Sequence, residues 1–96
     1  MSLELIAKQQ PQVINALYKY KHEVFKEGAL TVREKELIAT AVSCLLKCDT
    51  CVETHARDAI KAGATKEELR EAMVVAMYLS GPSAVVFSPI IDEIIK

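Results

Sequence analysis

Two helix-start signals within 96 residues constrain this fold more than any other feature. Thr31 opens T-V-R-E and Thr65 opens T-K-E-E, each ahead of apolar residues at helical spacing. In such a box the Thr side chain accepts from the backbone three residues on, and the Glu side chain reaches back to the cap. Strand signals are nearly missing: the chain has three Gly, three Pro and no Asn-Gly or Asp-Gly turn. The pattern predicts an all-α protein, one domain over residues 1–96, built as a bundle of four to six helices.

Along the chain, Leu3 to Gln9 reads as a short helical piece before Pro11, a residue favoured at the first position of a helix. Ile14, Leu17, Tyr18, Val24 and Phe25 then share a face of the next segment, which Gly28 ends. After Thr31, an apolar stripe runs through Leu37, Ile38, Ala41, Val42 and Leu45. The following helix is expected to reach about Ala62 and stop at Gly63. Leu69, Met73, Val74, Met77 and Tyr78 mark another helix, broken by Ser80-Gly81-Pro82. In the tail, Phe87, Ile90, Ile91, Ile94 and Ile95 match helical spacing, and Pro89 predicts a kink or a fresh start. Few polar residues cover the far side of that tail, so it either packs on another subunit or closes the core of its own chain.

Composition narrows the function. Apolar residues make up 51% of the chain, more than one small core can hide, which predicts a homo-oligomer. Twelve basic and thirteen acidic residues give a net charge of -1 without a basic block, so nucleic acid is not an expected partner. Aromatics, at 5%, are too scarce to build base-stacking platforms. Apolar stretches stop well short of the roughly 18 residues a membrane span requires. The start, MSLELIAKQQ, lacks the basic lead and long apolar run of a secretory signal. A cytoplasmic protein with no membrane partner is expected, and there paired cysteines serve redox chemistry, sensing or metal binding more often than structure.

The pair in question lies in KCDTCVETHARDA, from Lys47 to Ala59. Separations of three and four residues put Cys48, Cys51 and His55 in one row of a helix. Asp49 is expected to cap that helix, which sets Cys51 in its first turn. There the partial positive charge and free N–H groups of a helix start stabilise a thiolate. His55, one turn on, can carry the thiol's proton, the nucleophile-and-base arrangement of thiol chemistry. The preceding helix offers Glu34 and Glu36. If the two helices pack antiparallel, a carboxylate early in the first reaches His55 and fixes its tautomer.

Three readings stay open on these residues: a redox dithiol, a metal site, and ordinary buried cysteines. Cys44, Cys48, Cys51 and His55 form a nominal Cys3His zinc set, although four ligands from one continuous helix rarely converge tetrahedrally. Cys44 sits among Val42, Leu45 and Leu46 and reads as an inert core residue. His22, between Lys21 and Glu23, reads as a solvated surface side chain.

The run E-L-I-A-T-A-V-S-C-L-L-K-C-D-T-C-V-E-T-H has the pattern E-x11-C-x2-C-x3-H, from Glu36 through Cys48 and Cys51 to His55. It resembles the alkylhydroperoxidase D core of the carboxymuconolactone decarboxylase-like superfamily. The flank A-x-x-A-G-A-T-K-E-E-L-R-E-A, from Ala59 to Ala72, and Gly81-Pro82 are similar to that family too, so the resemblance covers Leu30 to Val86. It implies an AhpD-like helical fold and a peroxidase in which Cys48 and Cys51 form the redox pair while Glu36 and His55 relay protons. It further implies an organic hydroperoxide as oxidant and a dithiol donor, a dihydrolipoyl carrier in alkylhydroperoxidase D. Assembly as a trimer or hexamer is implied as well, and no cofactor or resident metal is expected. Cys51 is expected to attack and Cys48 to resolve.

Two departures stand out. Alkylhydroperoxidase D carries a histidine directly before its second cysteine, where this chain has Thr50. This chain also corresponds to only the C-terminal, site-bearing half of that protein. The alternatives are a decarboxylase-like enzyme acting on a small lactone, whose known members generally lack the cysteine pair, and a non-catalytic oligomer that senses redox state or holds zinc.

Overall fold

Among the residues that the computed structural model describes, 2–81 and 88–96, the chain forms six helices and no strand. They are α1 (Leu3–Gln9), α2 (Pro11–Phe25), α3 (Val32–Leu45), α4 (Asp49–Lys61), α5 (Lys66–Ser80) and α6 (Ser88–Ile95). Pro82 and Phe87, which entered the reading of the tail, lie outside the described residues.

Both capping boxes form. Thr31 accepts from the Glu34 N–H while Glu34 accepts from the Thr31 N–H, and Thr65 and Glu68 repeat the exchange at the start of α5. Glu68 also takes an ion pair from Arg33, which clips the first turn of α5 to the first turn of α3. The α4 helix ends where glycine predicts. Gly63 adopts φ 100°, its N–H reaches Ile60 O at 3.0 Å, and the Ala64 N–H reaches Ala59 O at 2.9 Å. This is a Schellman ending, which satisfies carbonyls that the helix leaves unpaired. The α2 helix stops earlier than expected, at Phe25 rather than Gly28. Lys35 explains why: its ammonium donates to Val24 O at 2.9 Å and Lys26 O at 2.7 Å, tying the end of α2 to α3.

The α3–α4 hairpin is the centre of the molecule, with α5 packed on α3 and α6 on α4. Cys44, Val52, Ala56, Ala59, Ala64, Leu69, Met73, Ala76 and Ile91 form the core. Four of these are alanines, and the two on α4, Ala56 and Ala59, turn small side chains toward the helices packed on it. The tail resolves in favour of closing its own chain's core: Ile91 is buried, and Ile90 and Ile94 pack against the same cluster. Its helix begins afresh at Ser88, with Pro89 in the first turn.

The apolar stripe expected on α3 is buried only in part: Leu37 and Ala41 pack against the core. Ile38, Val42 and Leu45 are exposed, while Glu36, Thr40, Ser43 and Cys44 point inward. The inward hydroxyls are satisfied within the helix, Thr40 donating to Glu36 O at 2.8 Å and Ser43 to Ala39 O at 2.6 Å. Such bonds let polar residues occupy a face that pattern reading assigns to solvent. Leu17, Tyr18 and Val24 on α2, and Val74, Met77 and Tyr78 on α5, are likewise exposed. On those helices Ile14, Leu69 and Met73 from the expected stripes are buried.

Candidate functional site

The site begins at the three-residue joint between α3 and α4. Lys47 there takes φ 57°, its N–H reaching Cys44 O at 3.1 Å, and the Cys48 N–H reaches Ser43 O at 3.2 Å. The joint is a Schellman ending with lysine in the left-handed position, a conformation more often given to glycine. It reverses the chain so tightly that Cys48 is at once the end of that motif and the cap of α4. The expected cap, Asp49, is instead the first residue inside the helix. The sulfur performs the capping: Cys48 Sγ accepts from the Cys51 N–H at 3.3 Å. A carboxylate is the more frequent cap, but the cysteine precedes it in the chain and occupies the position the turn creates.

Cys48 and Cys51 are joined as a disulfide, with Cα atoms 5.2 Å apart. Both are partly exposed. Cys44 is 1% exposed, and its Sγ lies 3.1 Å from Met73 Sδ. Burial pushes its thiol up, away from the thiolate form. The four residues of the nominal zinc set are therefore not gathered: one sulfur faces the core and two are bonded to each other. His22 is exposed, as expected.

The antiparallel hairpin brings the first turns of α3 to the middle of α4. His55 Nδ1 lies 3.2 Å from Glu36 Oε1 and 3.3 Å from Oε2. An ionised carboxylate only accepts, so in that state Nδ1–H donates and Nε2 is left to take a proton. Burial pushes the Glu36 carboxyl above its usual range, the bond and charge of His55 oppose that, Asp58 adds to it and Lys21 draws it down. Glu34 faces elsewhere, in the cap at Thr31.

Three residues join the site without having signalled it. Phe25 stacks on His55 with ring centroids 5.4 Å apart and planes inclined by 20°. It is held there because Lys35 grips the carbonyls on either side of it. Asp58, three residues after His55, brings an oxygen to the Glu36–His55 pair, and the ligand-capable atoms of all three lie within 4.8 Å of one another. Such a set has donors for a divalent cation. Lys21 lines the same cleft and interacts with Glu36, so a cation there would meet an ammonium group. The spacing of Asp58 from His55 is a helical i, i+3 signal. Phe25 and Lys21 arrive from α2, about thirty residues away in sequence, and no local pattern announces them.

Chemically, the arrangement joins a cysteine pair at the start of α4, an imidazole on that helix bonded through Nδ1, and a buried carboxyl group behind it. No helix among the described residues is long and apolar enough to cross a membrane.

Comparison with known proteins bears on this geometry. A carboxymuconolactone decarboxylase family protein from Legionella pneumophila, solved in its apo form, superposes with a TM-score of 0.88 at 30% identity, over 95% of this chain and 81% of that one. A family member from Thermotoga maritima, whose name links it to an antioxidative response, matches with a TM-score of 0.75 at 25% identity, over 86% of this chain and 90% of that one. An uncharacterised protein of the Paracoccus denitrificans cox locus is 43% identical over 61 residues, 64% of this chain. The match spans only 55% of the length of that relative. The sequence profile of the carboxymuconolactone decarboxylase family matches residues 11–93. With nearly the whole chain matched and the helices superposed, this protein belongs to the carboxymuconolactone decarboxylase family.

Proposed function

We propose that the protein is a thiol-dependent peroxidase of the alkylhydroperoxidase D kind. The observation that carries this reading is the Glu36–His55 contact on the helix that begins at the Cys48–Cys51 pair. In the reduced protein, the Cys51 thiol passes its proton toward His55 Nε2, one helical turn away, while Glu36 holds Nδ1–H. The Cys51 thiolate attacks the terminal peroxide oxygen, the O–O bond breaks, and the departing alkoxide takes the proton from His55 as an alcohol. Cys51 is now a sulfenic acid. The Cys48 thiol attacks that sulfur, forms the disulfide and releases water. An external dithiol then supplies two electrons and two protons, a dihydrolipoyl carrier in the relative this chain resembles. Cys48 suits the resolving role because the helix cap stabilises its thiolate too.

The family's enzymatic character and the antioxidative association of the Thermotoga relative agree with this reading. We further propose a cytoplasmic homo-oligomer, a trimer or hexamer, consistent with the exposed apolar residues of α2, α3 and α5.

The test is intact mass of fully reduced, metal-free protein before and after one equivalent of an organic hydroperoxide. Rapid loss of two hydrogens, mapped to Cys48–Cys51, is expected. Cys51→Ser should abolish turnover, and Cys48→Ser should trap a sulfenic acid at Cys51. Peroxide-dependent sulfenic acid at Cys48 in Cys51→Ser would reverse the order of the two. No oxidation, or slow oxidation that includes Cys44, removes the peroxidase reading. Lactone decarboxylation would instead survive replacement of both cysteines.

A further inference from the structure

The Glu36 carboxyl holds the His55 ring at one edge only. Nδ1 lies almost evenly between its two oxygens, 3.2 Å from Oε1 and 3.3 Å from Oε2. A carboxyl oxygen accepts over a broad range of directions, so a bond shared in this way anchors Nδ1 and leaves the ring able to rock about the anchor. The direction of Nε2, on the far side of the ring, then depends on whatever limits the tilt. Phe25 supplies that limit. Its ring stacks on the imidazole with centroids 5.4 Å apart and planes inclined by 20°. A flat partner over the face resists tilting in a way that a bond at the edge does not.

Phe25 has little of its own helix to hold it. On α2, Ile14 is buried, residues 15–24 are exposed, and the half-buried Phe25 is the last residue. Helix ends open more readily than helix centres. Lys35 opposes that opening. Its ammonium donates to Val24 O at 2.9 Å and to Lys26 O at 2.7 Å, the carbonyls on either side of Phe25. A helix leaves its last carbonyls unpaired and carries partial negative charge there, so a cation in this place is favourable. Among the described residues Lys35 makes no ion pair that would draw it elsewhere. Lys35 and Glu36 are consecutive on α3. One holds the edge of the imidazole directly, and the other holds its face through Phe25. We infer that Phe25 and Lys35 are positioning residues for His55: Phe25 sets the plane of the imidazole, and Lys35, whose hydrogen bonds reach neither His55 nor the cysteine pair, keeps Phe25 on it. The placement stands on these contacts alone. Its effect on turnover rests on the peroxidase reading, in which Nε2 accepts the Cys51 proton.

The experiment has a structural and a kinetic arm, both on the full chain. There are two histidines, so His22→Gln assigns the imidazole signals. Nuclear Overhauser contacts between the ring protons of Phe25 and His55 are expected in the wild type. Lys35→Met, which keeps an unbranched side chain without the donor, should lose them while the helical circular dichroism signal is retained. Lys35→Arg, which keeps donors, should keep them. Contacts that survive in Lys35→Met, or that vanish equally in Lys35→Arg, would overturn the role of Lys35. In the kinetic arm, kcat/KM for tert-butyl hydroperoxide near pH 7 should fall about tenfold in Phe25→Leu and in Lys35→Met, a part of what positioned acid–base help provides. The deficit should close above about pH 9, where a free thiol ionises without a base. A deficit of equal size at both pH values would point to a weakened fold and overturn the positioning role, as would unchanged kcat/KM. A wild type that turns over no hydroperoxide would sink the peroxidase reading and the kinetic arm with it, while the Overhauser contacts would still decide whether Lys35 places Phe25.

Discussion

At the scale of the residue, the pair that matters is Glu36 and His55. The carboxylate is buried and bonded to Nδ1, so it decides which imidazole nitrogen is free to handle a proton. Glu36→Gln keeps the shape but allows the amide to donate to Nδ1, favouring the other tautomer. We expect kcat/KM for hydroperoxide to fall about a hundredfold, the scale of positioned acid–base help, with the helical circular dichroism signal retained. The same substitution tests the electrostatics of burial. A carboxyl held above its ordinary value of 4.5 binds its proton more tightly in the folded chain than in the unfolded one. Its contribution to stability is then complete below that ordinary value and is lost as pH rises through the raised, folded value. Urea unfolding from pH 4 to pH 7 should show this downward slope in the wild type and a flatter profile in Glu36→Gln. An unchanged profile would mean that His55 compensates the burial fully. Part of this scale was legible beforehand: the spacing sets Cys51 and His55 one turn apart on α4, and an antiparallel hairpin suffices to bring in Glu36, whereas Cys48 caps the helix instead of standing in its row. Phe25 and Lys21 were not legible, because their place depends on how α2 lies against α3, and that is set by one lysine gripping two carbonyls.

At the scale of the element, the helix ends at Thr31, Gly63 and Thr65 were readable, whereas the end of α2 and the buried face of α3 were not. The Thr31 and Thr65 boxes and the Gly63 stop are local chemistry, complete within a few residues, and they formed where the pattern put them. The buried face of α3 depends on tertiary context: polar residues that bond within their own helix turned inward, and Ile38 and Val42 turned out. The cap position of α4 was misassigned by one residue for a related reason, since the preceding motif and the new helix share Cys48. Thr65→Ala should cost about 1 kcal/mol in chemical unfolding, the usual value of a lost threonine cap. It should also change the acid limb of the stability profile. The Glu68 carboxyl is held below its ordinary range by its bond to the Thr65 backbone, with Arg33 adding to the effect. Its contribution is present above the ordinary value and lost as pH falls through the lowered one. Loosening the box in Thr65→Ala should shrink that loss.

At the scale of the whole molecule, what remains outside is as informative as the core. Tyr78 and Leu79 are 81% and 71% exposed, and Val74 and Val75 on the same helix are more than half exposed. Apolar surface of this extent on one helix is a feature of interfaces. Leu79→Asp should convert the proposed oligomer into a monomer by sedimentation equilibrium, with the six-helix fold preserved by circular dichroism. Wild-type protein sedimenting as a monomer would remove the oligomer proposal. The excess of apolar residues was readable from composition, but its location was not. The sequence left the tail two roles, such an interface or the core of its own chain, and Ile90, Ile91 and Ile94 of α6 pack on the core.

The cap of α4 is also one of the atoms that changes oxidation state. A sulfur in a disulfide is a weak acceptor, whereas a thiolate in the same place is a strong one. The Cys51 amide therefore experiences the electron inventory of the site directly, and the first turn of the helix should hold more firmly when the pair is reduced and ionised. By reciprocity, a contact that steadies this turn favours the reduced form to the extent that it is stronger when the Cys48 sulfur is a thiolate. The backbone of α4 is in this sense part of the redox couple. Hydrogen exchange at one amide, slower in the reduced protein than in the oxidised one, would let the state of two sulfurs be read from the helix they begin.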